Sequence, residues 1–166
     1  MRSVRYSLAC LLPLIIGSAL YAAFADPALP IFGFEFAGSA QRAAELTHGR
    51  EGAFSDALNA DYAFLAGYAG TIVAACALAL RRGAVRRGAL WFGIGAGATA
   101  ALFDVAENLL LARGLDGGGD GAFAGAAVAA GLKFALVIPA AVIAVWALTR
   151  RPPLRQPDAA GASAPG

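Results

Sequence analysis

Charge is scarce in this chain: only 14% of its 166 residues are Asp, Glu, Lys or Arg, and lysine occurs once, at Lys133. With 59% hydrophobic residues and a mean hydropathy of +0.65, that scarcity excludes a disordered chain and an ordinary soluble domain, both of which need a charged surface. Histidine also occurs once, at His48, and a single imidazole beside Gly49-Arg50 builds no metal site. The two cysteines, Cys10 and Cys76, lie in apolar segments without Cys-x-x-Cys or Cys-His spacing. No disulfide framework or zinc site is expected from them, only helix packing. The formal net charge of +2 gives no reason to expect a nucleic-acid partner. The run Gly93-Ile94-Gly95-Ala96-Gly97 has the wrong spacing for a dinucleotide fingerprint and no strand before it, so no cofactor is expected.

What is abundant is apolar length. Four windows, Ser7 to Phe24, Ala57 to Leu80, Ala89 to Ala112 and Ala122 to Leu148, are each long enough to cross about 30 Å of hydrocarbon at roughly 1.5 Å per residue. Between them stand helix breakers: Asp26-Pro27 with Pro30, Arg81-Arg82-Gly83, and Arg113 followed by Gly117-Gly118-Gly119. The runs lack the period-two alternation of a membrane barrel. The expected fold is therefore all-α: a four-helix transmembrane bundle over residues 1–151, with a short helix in the long outer loop and a disordered tail over 152–166.

The arginines set the expected orientation. Nine of them (Arg2, Arg5, Arg81, Arg82, Arg86, Arg87, Arg150, Arg151, Arg155) flank one side, against Arg42, Arg50 and Arg113 on the other. By the positive-inside rule both termini face the cytoplasm. The strong preference for Arg over Lys, with much Ala and Gly, suits a bacterial chain, and the expected location is the bacterial inner membrane. A competing reading exists for the N-terminus, because Arg2, Arg5, an apolar stretch and Ala23-Phe24-Ala25 also fit a cleaved secretory signal, which would leave three spans. Its apolar stretch of about 17 residues exceeds the usual signal core, which favours retention. In the outer connection, Ser39 is an expected N-cap for a helix Ala40 to Thr47, and Phe32, Phe34 and Phe36 alternate before it. The connection reads as a partly ordered lid or, equally, as a solvated loop with aromatic anchors in the headgroups.

Four ionisable residues fall inside the windows: Asp61, Asp104, Glu107 and Lys133. A charge at the centre of a membrane helix costs about 2.5 to 3.5 kcal/mol on the mildest scale, so these groups must face one another, water or a ligand. Counted outward from each midpoint, Asp104 and Lys133 lie level at about 5 Å, and Asp61 lies level with Glu107 and Asn108 at roughly 10 Å. Asp104, Glu107, Asn108 and Leu111 share one helix face, as do Asp61 and Tyr68. Ser18 and Tyr21 add polar groups from the first window. One outward-opening pocket lined by all four helices, with Asp61, Tyr68, Asp104, Glu107, Asn108, Lys133 and Tyr21, accounts for them together. Gly93, Gly97 and Ala101, and more loosely Gly67, Gly70 and Ala74, supply small residues for close helix packing.

Phe34-Glu35-Phe36-Ala37, Asp61-Tyr62-Ala63-Phe64 with Tyr68, and Asp104-x-x-Glu107-Asn108 together resemble a group of short bacterial four-span membrane proteins of unassigned function. The resemblance covers about Ile31 to Leu148 and brings no activity with it. The layout is also distantly similar to sterol-isomerase-like membrane proteins, without a residue-by-residue motif.

Four readings of the polar set compete. Lys133 can pair with Asp104 or Glu107 only to lock helix register. The pocket can hold a small amphipathic or lipid-like ligand. The acids and lysine can relay protons or ions, in a homo-oligomer because four helices enclose little space. An enzyme would use Glu107 or Asp104 as general acid or base and Lys133 as electrostatic partner or nucleophile. No nucleophile-base pair has recognisable spacing, so an enzyme is the less expected outcome. Three acids against one lysine leave a surplus of negative charge, which requires a proton or a cation and argues against a purely structural role.

Overall fold

The structure is a computed structural model that describes residues 8–83 and 85–150. The expected disordered tail from Pro152 onward lies outside these residues. All described elements are helical: α1 (Leu12–Phe24), α2 (Ile31–Glu35), α3 (Ala40–Thr47), α4 (Glu51–Arg82), α5 (Arg87–Arg113), a π-helical turn (Gly114–Gly118) and α6 (Gly119–Thr149). Two continuous stretches, Glu51–Arg82 and Arg87–Thr149, are long and apolar enough to cross a membrane. The second doubles back on itself. Gly117 (φ 92°) and Gly119 (φ 68°) adopt backbone angles that side chains with a Cβ resist, and these two residues reverse the chain between α5 and α6.

Close approaches define how the helices run. Gly93 faces Ile143, Asp104 faces Lys133, and Gly114 faces Phe123, so α5 and α6 are antiparallel. Gly97 against Ile72 and Asn108 against Asp61 make α4 antiparallel to α5. Gly67 and Gly70 approach Pro13 while Gly17 approaches Ala63, so α1 runs antiparallel to α4. The Thr71 hydroxyl fastens this pair by accepting from the Leu14 backbone N–H at 3.1 Å. The glycines of α4 therefore serve α1, and those of α5 serve α4 and α6. α1 packs chiefly on the outside of α4 and does not share equally in a central bundle.

Two apolar clusters fill the interior. One, at the lid end, joins Phe34, Phe54, Leu58, Leu111 and Phe123. The other, at the opposite end, joins Ile72, Ala75, Cys76, Leu90, Ala96, Ala140 and Ala144, with no Asp, Glu, Lys, Arg or His among them. Cys10 and Cys76 are both buried and form no disulfide.

The outer connection is ordered as a lid. α3 spans Ala40–Thr47, with Ser39 Oγ accepting from the Arg42 N–H at 3.3 Å, as the capping pattern predicts. The alternating phenylalanines are instead helical. Phe32 and Phe36, four residues apart, share one face and remain exposed, while Phe34 points inward, fully buried, 4.5 Å from the Phe54 ring centroid. Two contacts tie the lid: Asp26 pairs with Arg50 across its two ends, and Asp120 of α6 accepts from the Ala40 N–H in its middle at 2.7 Å.

Candidate functional site

The polar residues of α5 lie on one inward stripe, since Asp104, Glu107, Asn108 and Leu111 are all buried. This is the face that the i, i+3, i+4, i+7 spacing predicts. Lys133 projects from α6 onto it. Its Nζ lies 2.7 Å from Glu107 Oε2, 3.1 Å from Asp104 Oδ1 and 3.6 Å from Glu35 Oε2. The ammonium also rests 4.8 Å from the Phe134 ring centroid. A charge taken out of water needs such compensation, and here one lysine serves three carboxyls.

α4 completes the constellation. The Tyr68 hydroxyl donates to Asp104 Oδ2 at 2.8 Å, and Asn108 Nδ2 donates to Asp61 Oδ2 at 2.8 Å. The two levels inferred from residue counting thus appear as two contacts, Asp104 with Lys133 and Asp61 with Asn108. Glu107 bridges the levels by reaching the same lysine. Glu107 Oε1 is buried and has no hydrogen-bond partner among the described residues. Those residues include no cluster of metal-ligand side chains.

Beside this network lies a cavity of about 240 Å³. Its lining comes from α4 (Asp61, Phe64, Tyr68), α5 (Asp104), α6 (Lys133, Phe134, Val137) and Glu35 of the lid. Glu107 and Asn108 stand behind this lining and do not form part of it. Tyr21 is not part of the lining but packs against it, its ring 6.0 Å from that of Phe64. α1 contributes no lining residue; it packs on the face of α4 that carries Ala63, Gly67 and Thr71. The place expected for a fourth long helix is taken by the lid.

In the sequence Glu35 stood out only as one residue of the Phe34-Glu35-Phe36-Ala37 motif. Its placement follows from Phe34, whose burial between Phe54 and Phe123 seats α2 and delivers the next side chain over the cavity. Phe32 and Phe36 then flank Phe134, with ring centroids at 5.7 and 6.0 Å. Burial pushes the Glu35 carboxyl up to about 7, and the Lys133 charge opposes that rise. Glu35 Oε2 is buried without a hydrogen-bond donor among the described residues.

Compared with protein-family models, curated proteins and solved structures, the chain shows no match.

Proposed function

We propose that this chain is a four-span protein of the bacterial inner membrane, with both termini cytoplasmic, whose bundle holds a binding pocket for a small amphipathic molecule. The single observation that carries the pocket reading is the two-sided lining of the cavity. Phe64, Phe134 and Val137 offer apolar contact, while Glu35, Asp61, Tyr68, Asp104 and Lys133 offer a few placed polar groups. That combination is the usual composition of a ligand site.

The membrane reading is supported by what the long helices leave uncovered. Only 39% and 28% of the most apolar windows of the two long stretches are buried, far less than in the core helix of a soluble protein. Trp91, Leu102, Leu109, Val128, Ile138 and Val142 all project outward, and lipid is the solvent that suits them. Because α5 and α6 fold back antiparallel, the stretch Arg87–Thr149 supplies two passes; α4 supplies a third and α1 the fourth.

Ion passage is less well supported. Beneath the polar layer lies the cluster around Ile72, Cys76, Leu90 and Ala140, whose described members include no Asp, Glu, Lys, Arg or His to relay a proton or hold an ion. The polar layer is a dead end, which suits binding.

The test is native mass spectrometry of the full chain purified in mild nonionic detergent, with Val137→Trp as the comparison. The expected result is a co-purifying small molecule on the native chain that is lost when the indole fills the cavity, at unchanged folded yield. Equal retention by both proteins refutes the pocket.

A further inference from the structure

The cavity's charges do not balance, and the imbalance has a direction. Glu35, Asp61 and Asp104 line it, with Glu107 directly behind, and Lys133 is the one cation among them. The lysine is already claimed: Glu107 and Asp104 hold it at 2.7 and 3.1 Å, leaving Glu35 at 3.6 Å. Asp61 accepts from the neutral amide of Asn108 and forms no ion pair among the described residues. Two carboxyls on different elements, one on α4 and one on the lid, therefore border the same cavity with acceptor capacity left over. Glu35 Oε2, buried and without a hydrogen-bond donor among the described residues, is the plainest case.

The walls favour the same sign of charge. Phe64, Tyr68 and Phe134 put three aromatic rings around a cavity that has two underused carboxyls, the arrangement that attracts an ammonium through both Coulomb and ring-face contact. Lys133 over the Phe134 ring shows that this wall accepts an ammonium. Size narrows the choice further. At about 240 Å³ the cavity falls below the roughly 300 to 1,000 Å³ of drug-sized sites, so it holds a head group with a short apolar arm.

Resting on the pocket reading above, we propose that the ligand class is a small amphipathic amine whose ammonium head sits between Asp61 and Glu35, with its apolar arm against Phe64, Phe134 and Val137. Lys133 is then a fixed internal cation already shared between Glu107 and Asp104. It sets how many negative charges remain for the ligand. An anionic head would face three carboxyls and one engaged lysine in the same lining, so it is rejected by charge.

The experiment titrates the full chain, in nonionic detergent at about pH 8, above the value of about 7 to which burial raises Glu35, with three probes of equal length: hexylammonium, hexan-1-ol and hexanoate. Calorimetry gives affinity, and native mass spectrometry gives stoichiometry. The expected result is one hexylammonium per chain, bound about tenfold or more tightly than hexanol, with hexanoate weakest. Asp61→Asn and, separately, Glu35→Gln each weaken hexylammonium about tenfold while leaving hexanol unchanged. Circular dichroism checks that both variants are folded. If hexanol binds the native chain as tightly as hexylammonium, the cation assignment falls and the apolar pocket stands. If hexylammonium binds Val137→Trp as well as it binds the native chain, or if none of the three probes binds, the pocket reading falls too.

Discussion

Lys133 and Glu107 meet at 2.7 Å on facing helices, and the glutamate is completely buried. Lys133→Met removes the nearest compensating charge from Glu107 and also from Asp104, whose remaining donor is Tyr68. Breaking a buried pair on one side costs about 3 to 5 kcal/mol, while removing both charges costs far less. Lys133→Met alone is therefore expected to lower unfolding stability in mixed-micelle denaturation by that amount. Adding Glu107→Gln recovers part of the loss, and strict additivity of the two changes refutes the coupling.

Asp61 is expected to behave differently. Its contact is a neutral donor, Asn108 Nδ2 at 2.8 Å, and the amide oxygen of Asp61→Asn accepts the same hydrogen bond. Stability should shift by no more than about 0.5 to 1 kcal/mol, the range for substitutions that keep shape and pairing. Thermal unfolding in detergent decides it. A loss of several kcal/mol gives Asp61 a structural role.

The Glu35 carboxyl lies outside the long helices and is raised by burial from 4.5 to about 7. A raised carboxyl pKa means that the folded state binds more protons than the unfolded one in that interval. Its contribution to stability is fully present below pH 4.5 and is lost as the pH climbs through about 7. The difference in unfolding stability between the native chain and Glu35→Gln should therefore shift in favour of the variant as pH rises over this window. Amine binding should run the other way, strengthening through the same window in the native chain but not in the variant. A pH-independent stability difference refutes the assignment.

Glycines separate into packed and open positions. A Cβ at Gly67 would lie 2.7 Å from the Pro13 carbonyl oxygen and 3.2 Å from Gly17 Cα, both backbone atoms that cannot turn aside. Gly67→Val is expected to part α1 from α4 and cost about 1 to 3 kcal/mol. At Gly95 nothing stands within 4 Å, so Gly95→Ala should be neutral or stabilise by roughly 0.5 to 1 kcal/mol through helix propensity. Comparing the two by thermal unfolding checks the placement of α1.

Orientation follows from the arginine distribution, nine against three. Reporter fusions at both ends should report cytoplasmic termini, and a reporter in the outer connection near Gly49 should be external. An external C-terminus reverses the topology. A mature N-terminus at Asp26 gives the three-span arrangement instead.

The helices themselves were legible in the chain, because apolar length and the 3.6-residue period depend only on local order. Arg87–Arg113 and Gly119–Thr149 lie within three residues of the windows read from hydropathy. α4 begins at Glu51, six residues before its apolar window, because amphipathic turns continue a helix once hydropathy has faded. The inward stripe of Asp104, Glu107 and Asn108 was likewise set by spacing, and the ammonium opposite was implied by the cost of leaving it alone. The sequence could not reveal that α1 packs on the Ala63, Gly67 and Thr71 face of α4, which leaves Tyr21 behind Phe64 and outside the cavity lining. Nor could it reveal that α2 fills the vacant side with Glu35. Those outcomes depend on contacts between residues far apart in the chain, Phe34 with Phe54 and Phe123, and Asp120 with the Ala40 N–H. Periodicity carries no information about which of several apolar faces pairs with which; close packing of particular side chains decides it.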